Sequence, residues 1–136
     1  MFLLDTNVVS ELRKASRCHP GVADWQAKQK PGVCHISAVT ILEIRLGIEL
    51  ARKNDCAKAQ ILEEWLEGRV KTGFAGRILP VDEAVAEACG RLHAARPRSF
   101  RDGLILATAA AHRLTIVTRN TKDFADGGVA VINPWK

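Results

Sequence analysis

Short runs of apolar residues alternate along the chain with longer segments in which apolar residues recur every three or four positions. The short runs predict buried β-strands, and the periodic segments predict helices with one apolar face. The predicted strands are Phe2–Leu4, Val33–Ile36, Ile78–Val81, Thr115–Thr118 and Val129–Ile132. The predicted helices are Val8–Lys14, Gly21–Gln29, Ala38–Arg52, Cys56–Val70, a segment from Asp82 or Glu83 to Ala95, and Asp102–Arg113.

This alternation predicts an α/β fold, a three-layer sandwich in which helices flank a short, mostly parallel sheet of about five strands. A chain of 136 residues can bury one core, so we predict a single domain over residues 1–136. In open parallel sheets, functional sites form beyond the carboxyl ends of the strands. The acidic residues that follow the predicted strands are therefore the first candidates for a site.

The composition is that of a soluble globular domain, with 47% hydrophobic and 26% charged residues. The apolar run Leu104–Ala111 is far shorter than the roughly 20 residues of a membrane span, so we expect no membrane association. The first residues lack the pattern of a secretory signal, so we expect a cytoplasmic protein. The net charge of +5 suits a polyanionic partner such as nucleic acid, although charge alone does not identify one.

Asp5 directly follows the first predicted strand, in the segment Leu3–Asn7. Aspartate is a preferred helix N-cap, and capping alone would explain its presence. A cap residue at the carboxyl end of a strand also lies where sites form, so the two interpretations are compatible.

Glu43 lies within a strongly apolar predicted helix, and its neighbours three and four positions away are Val39, Thr40, Leu46 and Gly47. The carboxylate is therefore expected on a largely apolar stripe of the helix. Because an unpaired buried carboxylate is very unfavourable, Glu43 needs a partner. A salt bridge to an arginine and a bound metal ion would each serve.

Two further segments carry candidate acids. Asp102 begins a predicted helix, where an acid complements the helix dipole by under about 1 kcal/mol without any site. The small residues that follow it predict close packing on the sheet, which would direct Asp102 towards the strand ends.

Asn120 and Asp123 follow a strand and are three residues apart, so one helical turn would point both the same way. A solvated turn is the alternative for this pair.

Carboxylates gathered in one place require cations. At about 4 Å and an effective dielectric of about 20, two carboxylates repel by roughly 4 kcal/mol. Oxygen ligands select hard metals, so magnesium is expected here and manganese would also fit. Such a centre can orient a water, lower its pKa and stabilise the charge that builds on a phosphate.

The segments around these acids resemble those of PIN-domain ribonucleases, specifically the VapC-type toxins of bacterial type II toxin–antitoxin pairs. The four segments, in order, are Leu3–Asn7, Thr40–Gly47, Asp102–Ala109 and Thr118–Phe124. Phe74–Pro80 and Asn133–Trp135 are most similar to the FitB-like branch of that family. The resemblance therefore extends over nearly the whole chain.

This resemblance implies a magnesium-dependent endoribonuclease that hydrolyses RNA phosphodiester bonds with a metal-activated water. Asp5 and Asp102 would be the main metal ligands, and Glu43 would hold the metal or its water. FitB-like members carry an acid at the position of Asn120, whereas many other VapC toxins have Asn there, followed by an acid three residues later. We therefore favour Asp123 as the charged fourth group, with Asn120 assisting through a hydrogen bond. The residues expected to orient the carboxylates or the water are Thr6, Asn7 and Thr118.

The same resemblance implies an RNA substrate, a homodimer and inhibition by a small VapB-type antitoxin. Basic residues near the acids would hold the RNA backbone, although solvated surface charge is the alternative for each one. These residues are Arg91, Arg96, Arg98, Arg101, Arg119 and Lys122. Two other functions stay open: a non-catalytic RNA-binding or regulatory domain of the same fold, and a DNA-directed nuclease.

Overall fold

The computed structural model describes all 136 residues as five strands and seven helices. The strands are β1 (Phe2–Leu4), β2 (Cys34–Ser37), β3 (Ile78–Leu79), β4 (Thr115–Val117) and β5 (Val131–Ile132). The helices are α1 (Thr6–Leu12), α2 (Pro20–Ala27), α3 (Ala38–Arg52), α4 (Cys56–Trp65), α5 (Glu83–Ala95), α6 (Phe100–His112) and α7 (Thr121–Phe124). A 3-10 turn, Ala15–Arg17, follows α1, and a π-helical stretch, Leu66–Val70, extends α4 into a last turn at Lys71–Gly73.

The five strands form one sheet in the order β3-β2-β1-β4-β5, and every pairing is parallel. The prediction of a mostly parallel sheet is confirmed. The first strand lies at the centre, where Phe2 is aligned with Cys34 on one side and with Thr115 on the other. Because all strands run the same way, the residues that follow β1, β2 and β4 meet at one edge of the sheet.

Alternate residues of the central strands face opposite helical layers. Leu4 and Val117 pack in a cluster that includes Val8 of α1 and Ile48 of α3. Leu3 and Ile116, one position earlier in each strand, pack instead against α6 through residues such as Ile105 and Leu106. This side-chain alternation buries both faces of the sheet and produces the predicted three-layer sandwich.

The boundaries differ from the predicted ones mainly at the sheet edges. The third predicted strand ends two residues early, because Pro80 has no N–H to donate to a neighbouring strand. The helix predicted to end at Val70 continues to Gly73. By contrast, α3 has the predicted bounds, and the Ser37 hydroxyl caps it by accepting the Val39 N–H at 3.0 Å. No helix combines the length and apolar character needed to cross a membrane.

The end of α6 contains a strained residue whose replacement should stabilise the fold. Arg113 is exposed and adopts the left-handed conformation, with φ 56° and ψ 46°. This conformation costs a residue with a Cβ about 1 kcal/mol, and glycine avoids most of that cost. We expect Arg113→Gly to raise the free energy of unfolding by about 0.5–1 kcal/mol in urea denaturation. Arg113→Ala is the control, and an equal gain in both variants would show that backbone strain is not the cause.

Candidate active site

Asp5 is the buried centre of the site. It follows β1 directly and is 6% exposed. Its Oδ1 accepts the Thr6 N–H at 2.8 Å, so Asp5 is the N-cap of α1, as predicted. Its backbone N–H donates to the Val117 carbonyl at 2.9 Å, which continues the pairing of β1 with β4. The end of β1 and the start of α1 therefore fix the carboxylate at the carboxyl edge of the sheet.

Thr118, just after β4, holds the second oxygen of this carboxylate. Its hydroxyl donates to Asp5 Oδ2 at 2.7 Å and accepts the Asn120 N–H at 3.0 Å. The Asn7 amide lies 3.3 Å from both Asp5 Oδ2 and Thr118 Oγ1, and its carbonyl oxygen accepts the Arg119 N–H at 3.3 Å. Thr118 and Asn7 therefore orient the Asp5 carboxylate.

Glu43 reaches the site from α3. Its Oε1 accepts the Thr6 hydroxyl at 2.8 Å, and its Oε2 lies 3.7 Å from Arg101 Nη1. The expected apolar stripe is only partly buried: Val39 is 4% exposed, but Leu46 is 43% exposed. Glu43 therefore lies at the boundary between core and solvent, with 25% of its side chain exposed, and both a hydroxyl and an arginine partner it.

Asp102 lies in the first turn of α6. The helix begins at Phe100, two residues before the predicted start, and the Ser99 hydroxyl caps it by accepting the Asp102 N–H at 3.1 Å. The next residue, Gly103, is buried, and a Cβ there would lie 3.1 Å from Cys89 Sγ. Close packing of this turn on α5 therefore directs the half-buried Asp102 carboxylate towards the strand ends.

These three acids, which come from segments far apart in the sequence, line one pocket of about 450 Å³ that we call the acidic pocket. Asn120 also lines it. The other lining residues are Thr6, Asn7, Ser10, Glu11, Lys14, Arg119 and Trp135. The structure therefore brings together Asp5, Glu43, Asp102 and Asn120.

The acids interact electrostatically in this pocket. Burial is the main cause that raises the pKa of Asp5 above its usual value of 3.8, and the charges of Glu43 and Asp102 raise it further. Hydrogen bonds from Thr118 and Thr6 partly oppose these effects on the pKa of Asp5. A cation between the acids would relieve both the burial penalty and the repulsion.

No three His, Cys, Asp or Glu side chains converge closely enough to form a ready-made metal cage. Glu43 is held instead by Thr6 and Arg101. Magnesium fits such a donor set, because it keeps several waters and is commonly bound through only one or two carboxylates. The three acids offer only carboxylate oxygens, the ligand type that hard cations prefer.

Asp123 lies apart from the other acids. It lines an adjoining pocket together with residues that include Lys122 and Lys136, and it does not line the acidic pocket. Asn120 lines both pockets, because it precedes α7, whereas Asp123 lies inside the helix. Both side chains therefore line the adjoining pocket, but only Asn120 also lines the acidic pocket, so the structure leaves Asp123 outside the pocket that holds the other acids.

The candidate RNA-binding arginines are engaged in several ways. Arg96 donates to the carbonyls of Lys122 and Ala125, and Arg98 donates to the carbonyl of Asp123. These two arginines therefore hold the segment around α7, a structural role that sequence analysis did not predict. Arg101 lies near Glu43, and Arg119 lies over the Trp135 ring, with 5.6 Å between Cζ and the centroid. The other two lie outside the acidic pocket: Lys122 lines the adjoining pocket, and Arg91 pairs with Glu87 at 3.8 Å.

Sequence analysis missed four lining residues of the acidic pocket. Three of them, Ser10, Glu11 and Lys14, continue the helical face that begins at Asn7, at spacings of three, four and seven residues. That periodicity was a usable signal once Asn7 was a candidate. Trp135 had no such signal, because it approaches the pocket from the opposite end of the chain.

The fold and the pocket together define an α/β domain with an acidic site at the carboxyl edge of a parallel sheet. The chain belongs to the PIN domain family, whose profile matches residues 2–128. "Toxin FitB" of Neisseria gonorrhoeae is 39% identical over 99% of both chains. In the crystal structure of FitAcB from that organism, a chain 38% identical superposes with a TM-score of 0.87 over 99% of each.

Other relatives extend the comparison. "VapC ribonuclease Y4jK" of Sinorhizobium fredii is 38% identical over 100% of this chain and 99% of its own. A toxin–antitoxin complex from Klebsiella pneumoniae contains a chain 30% identical, with a TM-score of 0.71 over 100% of this chain and 99% of that one. The predicted kinship with VapC-type and FitB-like proteins is confirmed.

Repulsion among the acids should lower the free energy of unfolding. The fold raises the pKa of Asp5, so the folded protein is less stable when Asp5 is ionised. The free energy of unfolding therefore falls as the pH rises from 3.8 to the raised pKa, and it stays lower at neutral pH. In EDTA at pH 7, we expect Asp102→Asn to raise the free energy of unfolding by on the order of 1 kcal/mol. The gain should disappear near pH 3, below the raised pKa of Asp5, because a protonated Asp5 carries no charge to repel Asp102.

Urea denaturation at both pH values measures this difference. Asp24→Asn is the control, because Asp24 is exposed on α2 and makes no ion pair. Equal stability of wild type and Asp102→Asn at pH 7 would contradict repulsion in the pocket.

Proposed function

We propose that the protein is a magnesium-dependent endoribonuclease, with manganese as a possible substitute, and the toxin of a toxin–antitoxin pair. The observation that carries this proposal is the acidic pocket, where Asp5, Glu43 and Asp102 meet at the carboxyl edge of the sheet. Membership of the PIN domain family and a relative called a VapC ribonuclease support it. The reaction class is hydrolysis of an RNA phosphodiester bond.

The donor set indicates which residues would hold the cation. Asp5 and Asp102 offer carboxylate oxygens without an arginine partner, whereas Glu43 already contacts Thr6 and Arg101. We therefore propose Asp5 and Asp102 as the main ligands and Glu43 as a ligand to the metal or to its water. When bound, the cation would supply charge for the phosphate and a lowered pKa for water.

The residues around the carboxylates fix the geometry in advance. Thr118 and Thr6 donate to the two oxygens of Asp5, and the Thr6 hydroxyl also donates to Glu43. Thr40 Oγ1 lies 3.0 Å from that hydroxyl oxygen and is fully buried. Because these bonds hold two acids from different segments, little reorganisation is needed when the phosphate binds.

We also propose a homodimer and a VapB-type antitoxin partner. Leu42, Leu46 and Leu50 form a stripe on α3 with exposures of 54%, 43% and 51%. An exposed apolar stripe of this kind suits a second copy of the chain. The relative called "Toxin FitB" and the toxin–antitoxin complex from Klebsiella pneumoniae support the antitoxin.

Cleavage of total cellular RNA tests the proposed activity. We expect discrete fragments with magnesium and none with EDTA, and we expect Asp102→Asn to lower the rate at least about 100-fold because it removes a proposed ligand. Asp102 is a sharper test than Asp5, because its side chain makes no hydrogen bond that the substitution would disturb. Circular dichroism must show a folded variant, and Asp24→Asn again serves as the control.

The alternatives predict different results in this experiment. RNA left intact while labelled DNA is cut would favour the DNA-directed nuclease. RNA bound but not cut, with magnesium present, would favour a non-catalytic RNA-binding domain. Full activity in Asp102→Asn would refute the site itself.

The positions of Asn120 and Asp123 allow a second test. Because Asn120 lines the acidic pocket and Asp123 lines only the adjoining one, we expect Asn120→Ala to lower the initial cleavage rate about tenfold and Asp123→Asn less than threefold. Each substitution leaves the backbone hydrogen bonds of both positions in place. A larger loss in Asp123→Asn would show that Asp123 supplies the fourth charged group after all.

A further inference from the structure

Two cationic side chains line the acidic pocket and are held there by the protein. Lys14 follows α1, and its Nζ donates to Glu11 Oε1 at 2.9 Å. Arg119 follows β4 and lies over the Trp135 ring. The metal-binding roles proposed above for the acids use neither charge.

Both side chains keep unused hydrogen-bond donors. An ammonium has three N–H groups, and Lys14, 47% exposed, spends one of them on Glu11. The Arg119 side chain makes no hydrogen bond or ion pair, and its contact with Trp135 uses the face of the ring. A guanidinium has five N–H donors, so Arg119 is positioned but free to bind an anion.

A continuous set of contacts joins these two cations. Glu11 binds Lys14 through Oε1 and accepts the His19 N–H through Oε2 at 2.9 Å. The His19 ring lies 6.3 Å from the Trp135 ring, and Trp135 lies beneath Arg119. Glu11 is 9% exposed, and both of its hydrogen bonds lower its pKa, so it stays ionised at neutral pH.

The segment that carries Trp135 is held in place by the rest of the protein. The Trp135 N–H donates to Asn133 Oδ1 at 2.9 Å. Gly21 allows the Pro134 carbonyl to approach closely, because a Cβ at this position would collide with that oxygen. The Gly21 N–H also donates to His19 Nδ1 at 3.1 Å. The ring beneath Arg119 is therefore anchored to the start of α2.

The lining of the adjoining pocket, which lies beside the acids, is positively charged. It shares Arg119, Asn120 and Trp135 with the acidic pocket. Lys122 and Lys136 add two positive charges to its lining, against the single negative charge of Asp123. A polyanion that placed one phosphate among the acids would meet a net positive surface beside it.

We propose that Lys14 and Arg119 bind RNA phosphates next to the scissile one, and that Glu11 and Trp135 are positioning residues for these cations. This inference rests on the proposed ribonuclease function. The cations offset the repulsion between the acidic pocket and a polyanionic strand, and each contact adds affinity without sequence preference. Trp135 acts only through Arg119 in this arrangement.

Binding of a fluorescein-labelled, random-sequence 20-nucleotide RNA, followed by anisotropy in EDTA, tests the proposal without cleavage. We expect Lys14→Gln and Arg119→Gln each to weaken binding about 3- to 10-fold at physiological salt. Each should also reduce the slope of log affinity against log salt by about 0.7, the value for one lost single-strand phosphate contact. Lys53→Gln is the matched control, because Lys53 is exposed at the far end of α3 and makes no ion pair.

Variants of Trp135 distinguish its positioning of Arg119 from a general effect on the fold. Trp135→Leu should weaken binding, Trp135→Phe should restore most of the affinity, and neither Trp135 variant should weaken binding further when combined with Arg119→Gln. Additive losses in the double variant would overturn the positioning role. Thermal melts identify any variant that fails to fold, and the two charge variants then carry the test.

The outcomes distinguish this inference from the proposed function. If the wild type cuts RNA but both charge variants bind RNA like the wild type, the inference fails alone. If the wild type does not cut RNA but both variants lose affinity and salt slope, the function fails and the binding inference stands. No measurable RNA binding by the wild type would overturn the inference.

Discussion

The burial of Asp5 directly after β1, beside the end of β4, is the constraint on which the site depends. A carboxylate that is 6% exposed needs donors on both oxygens, and only the start of α1 and the residue after β4 are close enough to supply them. Those donors fix where α1 begins and where Asn120 lies. The pairing of β1 with β4 is therefore needed both to close the core and to build the acidic pocket.

Charge is distributed unevenly around this site. The chain carries a net charge of +5, yet four carboxylates line one small pocket. Positive side chains accompany these carboxylates: Lys14 on Glu11 and Arg119 over Trp135 line the pocket itself, and Arg101 lies beside Glu43. Arg96 and Arg98 contribute differently, because they bind backbone carbonyls and so hold the segment around α7. A local negative site thus lies within a positive surface, which suits a polyanion that must present one phosphate to a cation.

The sequence predicted the layers, the parallel sheet and three of the acids, because strand ends and helical periodicity are local signals. It did not predict that Leu46 is exposed, since periodicity identifies a helix face but not where the covering layer stops. The role of Arg98 and the approach of Trp135 to Arg119 depend on contacts between distant segments, which local patterns cannot contain. That Asn120 lines the acidic pocket while Asp123 lines only the adjoining one depends on where α7 begins, which local patterns do not give to the residue.

The Thr118 hydroxyl has a consequence for protein engineering. It donates to Asp5 and lies within hydrogen-bond distance of two donors, the Asn120 N–H and the Asn7 amide, so both of its lone pairs and its proton are engaged. An isosteric valine at this fully buried position would leave Asp5, the Asn7 amide and the Asn120 N–H without this partner. Grafting the centre onto another parallel sheet would therefore require moving Asp5, Asn7, Thr118 and the Asn120 backbone together, as one inseparable unit.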